Sequence, residues 1–371
     1  MLLQYLRITD HRNIARAELT PDPALNVLCG ANGQGKTNLL EAIWLLTGGK
    51  SFRGSKDADL IRRGAPFSVL EAEFEGAGRP HDLRLTVGGR ETKRPGRSAC
   101  INGEEVPHAA ALATRTGAFT AVVFEPDHLN LVKGGPEGRR RFLDTTLCQL
   151  YPTYLVGLRR YARIVSQKNA VLKNYDSTPG AADLLETFNA ELLRTGTVLI
   201  RRRRDYMAKL APAAARNYSE ISRGAETLSV RYLPSVDVEG DVVTALAARL
   251  RAVAAAERRA GFCLTGPHRE DLEILIDGHP ARVYGSQGQQ RSAVLALKLA
   301  EAAVAGELLE EQPVMLLDDV LSELDDARQT YLLTRIGENQ TFVTTCDTAA
   351  FARTTGKIFL VDAGRVQEKP D

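Results

Sequence analysis

Gly30-Ala31-Asn32-Gly33-Gln34-Gly35-Lys36-Thr37 matches the full pattern GxxxxGK(S/T), between an apolar run at Asn26 to Cys29 and a helical run at Asn38 to Leu46. In such a loop the backbone N–H groups wrap phosphates, the lysine reaches the β and γ oxygens, and the threonine hydroxyl holds Mg²⁺. The pattern predicts binding of ATP or GTP. A second set is Val314-Met315-Leu316-Leu317-Asp318-Asp319, an apolar run that ends in two carboxylates, as a buried strand does when it delivers acids to its carboxyl edge. Asp318 is expected to hold Mg²⁺, directly or through water, and Asp319 to polarise the attacking water and accept its proton. A third set, Gly285-Ser286-Gln287-Gly288-Gln289-Gln290-Arg291, opens directly into a helical run at Ser292 to Leu309. Small residues at a helix start expose N–H groups and the positive end of the helix dipole, which suits a γ-phosphate at Ser286, Gln287, Gly288 and Gln289. The same string also reads as an ordinary helix cap made by Ser286.

The elements that must carry these residues follow from patterning. Leu2 to Thr9, Ala15 to Leu19, Val69 to Phe74, Leu83 to Val87 and Ala121 to Phe124 have strand character, with a turn at Ile101-Asn102-Gly103. From about Pro136 the period becomes helical, with helices expected over Tyr151 to Asn174, Ala182 to Tyr206 and Val242 to Gly261. Strands return at Leu272 to Ile276, Val314 to Leu317, Thr341 to Thr344 and Ile358 to Val361, with helices near Gln289 to Leu309 and Asp325 to Ile336. No internal repeat and no sustained heptad is present. Because the phosphate loop lies near one end and the paired carboxylates near the other, residues 1–135 and 262–371 are expected to build one α/β head. Residues 136–261 then form a mainly helical second lobe.

Composition agrees with a globular chain. Its 371 residues, 44% hydrophobic, can fill one large core or two smaller ones. No apolar run approaches the roughly 20 residues that span a bilayer, and Met1-Leu2-Leu3-Gln4-Tyr5 lacks the layout of a secretion signal. A cytoplasmic location and no membrane partner are therefore expected. Cys29, Cys100, Cys148, Cys263 and Cys346 are scattered without CxxC spacing and read as reduced, mostly buried thiols. Net charge is only +2, but residues 139–216 hold fifteen Lys/Arg against six Asp/Glu, or +9, which leaves −7 elsewhere. Such a basic stretch suits a polyanion, or else consists of arginines on ordinary solvated helices.

The loop, the Ser286 string and the carboxylates, in the order found, resemble the ABC class of ATPases, with Ser322-Glu323-Leu324-Asp325 at the D-loop position. The resemblance implies that the Ser286 signature of one copy meets the phosphate loop of another, so that ATP joins two heads as a homodimer. About 250 residues separate Lys36 from Ser286, far more than in transporter ATPases, and the compact helical insert replaces the long coiled coil of SMC-like proteins. The chain is similar throughout to the RecF family. The strings that carry this are Pro126-Asp127, Leu131-Val132-Lys133-Gly134-Gly135-Pro136, Arg139-Arg140-Arg141-Phe142-Leu143-Asp144, Thr265-Gly266-Pro267-His268-Arg269-Glu270-Asp271, and Leu316 through Asp325 to Leu332.

That resemblance implies ATP-dependent binding of double-stranded and gapped DNA, and cooperation with RecR and RecO in loading the RecA recombinase. Non-sequence-specific phosphate contacts are expected from Arg139, Arg140, Arg141, Arg159, Arg160, Lys168, Lys173, Arg201, Arg202, Arg203 and Arg204. Tyr151, Tyr154, Tyr161 and Tyr175 interleave with them and read as core or interface residues. Arginines in the first turn after Pro136 oppose the helix dipole, so either acidic neighbours or DNA phosphate must retain them. Arg12 and Asn13, after the first strand, fall where SMC-like heads bring polar groups to the nucleotide, although a plain hairpin turn fits them as well. Many transport-type relatives carry Glu, Gln and His where this chain has Asp319, Glu125 and Cys346. The shorter base and missing histidine point to weak, slow ATP hydrolysis, and the resemblance implies that DNA stimulates it. A transporter subunit or a small-molecule P-loop kinase are the rival readings, and neither explains the basic insert together with the Ser286 string.

Overall fold

The computed structural model describes residues 1–369 apart from 90, 94, 116, 338 and 348–355. The chain forms two compact units, Met1–His128 with Glu301–Asp371, and Leu129–Ala300. The first begins with β1 (Leu2–His11), β2 (Ile14–Leu19), β3 (Leu25–Cys29), α1 (Lys36–Leu45), β4 (Phe67–Gly76), β5 (Arg79–Gly88), β6 (Gly96–Ile101), β7 (Glu104–Val106) and β8 (Ala121–Phe124). The second holds α2 (Asn130–Lys133), α3 (Pro136–Leu150), α4 (Pro152–Lys173), α5 (Ala181–Ile221), β9 (Leu228–Leu233), α6 (Val242–Ala260), β10 (Asp271–Ile276), β11 (His279–Pro280) and α7 (Ala281–Tyr284). Helix α8 (Gln287–Leu309) starts there and ends in the first unit, which closes with β12 (Val314–Leu317), α9 (Asp326–Arg335), β13 (Thr341–Thr345), β14 (Lys357–Asp362) and β15 (Arg365–Glu368).

Two six-stranded sheets build the first unit. One is antiparallel in the order β2-β1-β4-β5-β6-β7, and its strands alternate in burial: in β4, Leu70, Ala72 and Phe74 are buried while Glu71, Glu73 and Glu75 lie outward. The other has the order β15-β14-β3-β13-β12-β8, parallel except for the β14–β15 hairpin. Its inner strands read as continuous apolar runs because both faces are covered: all four residues of β8 and of β12 are buried. Both sheets and α1 feed one core, in which Leu6, Leu28, Leu39, Ile43 and Phe342 are almost wholly excluded from solvent. The order β3-β13-β12 sets the carboxyl ends of three parallel strands side by side. The phosphate loop after Cys29, Cys346 after Thr345 and Asp318 after Leu317 therefore share one sheet edge.

The second unit is mainly helical and longer than the sequence suggests. Strand β10 pairs antiparallel with β9, Ile274 against Val230, and Asn217 donates to the Ala296 carbonyl at 3.2 Å. These bonds hold residues 262–300 with the helical insert, so the expected boundary at 261 moves to Ala300. Helix α5 runs 41 residues straight through Pro212, where a helix end was expected at Tyr206. Packing of Leu210, Ala213 and Ala214, all buried, overrides the local preference to break there. Asp241 caps α6 by accepting from Val243 and Thr244, and Gly261 closes it at φ 76°.

Two histidines are held uncharged near neutral pH, His11 fully buried and His268 half-buried. His11 lies in the first unit within 3.9 Å of Glu41, and His268 in the second, 2.7 Å from the Tyr161 hydroxyl. Desolvation lowers each from 6.5 to about 4, outweighing Glu41 in the first case. Below pH 6.5 the unfolded chain takes up protons that the folded chain refuses, so stability is full above that value and falls as pH drops toward 4. Urea unfolding across that window is expected to show a declining midpoint, with a shallower decline in His268→Gln. Equal slopes for the two proteins would remove His268 as a cause.

Candidate functional site

The phosphate loop hangs between β3 and α1, and its glycines answer local steric demands. A Cβ on Gly30 would fall 2.1 Å from the Val361 carbonyl oxygen, and Gly35 sits at φ 119°. Helix α1 begins with no capping side chain and no acid in its first turn, so its leading N–H groups and dipole are left for an anion. Lys36 is buried, 8% exposed as a residue. It donates to the carbonyls of Gly30 and Ala31 and lies 3.4 Å from the Cys346 sulfur. Gln34 is clamped from outside: its carbonyl accepts from Gly364 N–H at 2.8 Å, and its side-chain oxygen from Ala363 N–H at 2.6 Å.

Thr37 and Asp318 meet across the sheet edge. The Thr37 hydroxyl donates to Asp318 Oδ1 at 2.9 Å, and the Thr344 hydroxyl to the same oxygen at 3.1 Å. Burial pushes the Asp318 carboxyl above its ordinary range, opposed by these two hydrogen bonds. A hydroxyl and a carboxylate at this separation form the oxygen pair that a small hard cation requires, so the donor set fits Mg²⁺. Asp319 follows at φ 51°, a left-handed conformation that costs a non-glycine residue energy and recurs at functional positions. Its N–H donates to Thr344 Oγ1 at 2.8 Å, and its carboxylate and carbonyl accept from the Ser322 hydroxyl at 2.9 and 2.8 Å. Asp319, Ser322 and β13 are thereby joined. Thr344 is a site residue that sequence reading missed; its only signal is a hydroxyl at the end of a buried apolar strand.

Of the two residues after β1, Asn13 touches the loop. Its side-chain amide donates to the Gln34 carbonyl at 3.0 Å, and its oxygen accepts from Asn38. Arg12 is turned to Glu41 instead, with Nε and Nη2 on its two oxygens at 2.7 and 2.9 Å and further bonds to Ser55 and the Asp59 carbonyl. Burial alone would raise Glu41, but hydrogen bonds from Arg12 and Ser51 outweigh it and hold the carboxyl below its usual range. Arg12 thus fixes α1, and with it the loop, to the first hairpin.

In the second unit, Ser286 and Gln289 form a reciprocal capping box: Ser286 Oγ accepts from Gln289 N–H at 3.2 Å, and Gln289 Oε1 from Ser286 N–H at 2.7 Å. The capping alternative is therefore realised at the start of α8. Ser286 and Gln287 are nonetheless exposed, as are Val283 and Tyr284 at 69% and 71%.

The arginine set divides. Arg139 and Arg203, 8% and 1% exposed, are not available to DNA. Arg139 grips Asp271 with two bonds at 2.7 and 2.8 Å, and Arg203 is bound by Asp144, Glu270, Tyr154 and the Pro267 carbonyl. For Arg139 the acidic-neighbour explanation of its place near the start of α3 is the right one. Lys168 is likewise buried against Glu257 at 2.6 Å. Arg141, Arg159, Arg160, Lys173 and Arg201 are exposed, while Arg140, Arg202 and Arg204 are half-buried. Arg202 stacks 4.4 Å over the Tyr151 ring. Tyr154 and Tyr161 are core residues, as expected.

A glycine-rich loop opening a helix, with Thr37, Asp318 and Asp319 converging at the edge of a parallel sheet, defines a P-loop ATPase head of the ABC type. The profile of the RecF/RecN/SMC N terminal domain family matches residues 2–365, and the chain belongs to the RecF family. The DNA replication and repair protein RecF of Nostoc punctiforme is 40% identical over 378 residues, covering 99% of each chain. That of Bacillus cereus (strain AH820) is 38% identical over 352 residues, covering 93% of this chain and 92% of the relative. The solved structure of the recombination mediator protein RecF-ATPrS in the RecFOR pathway superposes with a TM-score of 0.90 at 32% identity, covering 99% of this chain and 98% of that one. Among the described residues no helix is long and apolar enough to cross a membrane.

Proposed function

We propose that this protein is an ATP-gated DNA clamp of recombinational repair. The observation that carries the reading is the Thr37–Asp318 hydrogen bond at the sheet edge, beside a helix start left uncapped for phosphate. Bound MgATP supplies the anhydride to be cleaved and the cation that polarises it. Lys36 neutralises phosphate charge, Thr37 and Asp318 hold the cation, and Asp319 orients a water and takes its proton on the carboxylate. Asn13 and Gln34 keep the loop in shape. A carboxylate one methylene shorter than glutamate, and Cys346 in the histidine position, suit slow turnover that resets a clamp, quickened by DNA.

Ser286, Gln287, Gly288 and Gln289 of a second copy cap the nucleotide. Exposed Val283 and Tyr284 beside them supply apolar surface for that homodimer. Duplex DNA, near single-strand gaps, takes the exposed arginines Arg141, Arg159, Arg160 and Arg201, with Arg140, Arg202 and Arg204 at their margin. The family relation supports action in the cytoplasm with RecR and RecO in loading RecA.

Sedimentation velocity with and without MgATP and gapped duplex tests the reading. Wild type is expected to pair on ATP, and Ser286→Arg to stay a monomer while still binding ATP, because it damages only the cap. Asp319→Asn is expected to pair and persist. Monomeric wild type at saturating MgATP, both free and on duplex, would end the clamp reading.

A further inference from the structure

A groove of about 660 Å³ runs between α4 and α5 in the second unit, a size that admits a bulky side chain and its neighbours. Its floor is apolar: Ile164 is 5% exposed and the Phe188 ring is half-buried. Its rim is cationic. Arg159 and Arg163 stand one turn apart on α4 with Arg160 beside them, all exposed, against one carboxylate, Glu191 on α5, so the lining carries a formal charge of three minus one, or +2. Apolar surface continues past the groove along α5, where Leu184 and Val198 share the face of Phe188 and Glu191 and are 39% and 38% exposed. Arg160 and Arg194 bond the Glu191 carboxylate at 2.6 and 3.0 Å. Arg163 has no side-chain partner among the described residues.

We propose that this groove binds an acidic segment of a protein partner, which seats one bulky apolar side chain on Ile164 and Phe188 and gives carboxylates to Arg159 and Arg163. The floor and the rim set two demands. Apolar floor atoms gain nothing from a phosphate or from the closed base stack of a duplex, and guanidinium groups take carboxylates through paired hydrogen bonds, as Glu191 already illustrates on Arg160 and Arg194. A short helix or extended segment with an apolar anchor and flanking acids meets both. A single strand is the poorer fit, because the lining offers one ring, Phe188, where successive bases stack on several. Arg159 and Arg160 are also among the arginines assigned above to duplex DNA, so an occupied groove keeps DNA from that part of the surface. This consequence rests on the DNA reading, and the affinity for peptide does not.

The test uses the full chain and a fluorescein-labelled peptide, Asp-Glu-Asp-Phe-Leu-Asp-Glu. Saturable anisotropy with a Kd below about 1 mM is expected, weakened about tenfold in Arg163→Glu, an exposed position at which charge reversal leaves MgATP binding unchanged. A control peptide with Ser in place of Phe and Leu is expected to bind about tenfold more weakly. With benzoylphenylalanine in place of the peptide's Phe, ultraviolet cross-links are expected on α4 and α5 beside the groove. No saturable binding, equal binding by the serine peptide, an unchanged Kd in Arg163→Glu, or cross-links confined to other elements overturns the proposal. Binding of oligo(dT) that depends on Arg163 while peptide binding does not gives the groove to single-stranded DNA and overturns it too. Saturating peptide is expected to raise the Kd of wild type for duplex DNA, and an unmoved Kd overturns the shared use of Arg159 and Arg160. Wild type that never binds duplex would instead overturn the DNA reading, leaving the peptide titration to decide the groove.

Discussion

Lys36→Met is expected to weaken ATP binding by about 2–3 kcal/mol, roughly 30- to 150-fold in Kd, the range for losing a hydrogen-bonded charge against a charged partner. Methionine matches lysine's four-atom apolar stem and stops one atom short, so packing of the stem is preserved and the ammonium alone is removed. In the structure that ammonium is held by the Gly30 and Ala31 carbonyls, poised over the loop rather than paired with an acid. The loop therefore holds a positive charge with no carboxylate bonded to it among the described residues, which phosphate can claim. Isothermal titration with MgATP reads the effect. A thermal unfolding midpoint close to wild type separates lost recognition from lost structure. Unchanged affinity would mean that the loop's N–H groups and Thr37 bind alone.

Arg203→Met is expected to cost about 3–5 kcal/mol of stability, the penalty for breaking a buried ion pair from one side. Arg203 is 1% exposed and is bonded to Asp144 at 2.7 Å, Glu270 at 2.7 Å and Tyr154 at 3.0 Å. Methionine fills similar space but leaves Glu270, itself 1% exposed, without its cationic partner. Adding Glu270→Gln should recover part of the loss, because the stranded charge is then gone. Urea unfolding of the two single variants and the double variant gives the coupling directly. Additive effects would show that the pair does not interact energetically, and the account of the cluster would fail.

The same residue explains what the sequence could and could not disclose. Arg201 to Arg204 looks like one basic patch on paper, yet helical rotation sends Arg203 inward while Arg201 stays exposed. A four-residue run cannot tell which member meets an acid arriving from Asp144 or Glu270, far away in the chain. The phosphate loop and the β12 carboxylates were legible because their chemistry is local: glycine for close approach, an apolar run for a buried strand, acids at its end. Parallel strands β8 and β12 were found at their true bounds for that reason. What was not legible depends on pairing across sequence. Strands β9 and β15 are short, half-exposed ribbons defined by partners, and the Gln34 clamp depends on a hairpin turn more than three hundred residues later. The end of α5 was placed at Tyr206, too early, because the helix continues on the packing of its buried face, Leu210, Ala213 and Ala214, past Pro212.

Strand β3 has a further consequence for how the protein is made. Its two neighbours in the sheet are β13 and β14, with Cys29 opposite Thr345 and Leu360, so this apolar strand waits for partners translated more than three hundred residues after it. At about 5–20 residues per second that wait is roughly 15–60 s. Throughout it the nascent chain exposes the segment on which the phosphate loop will hang.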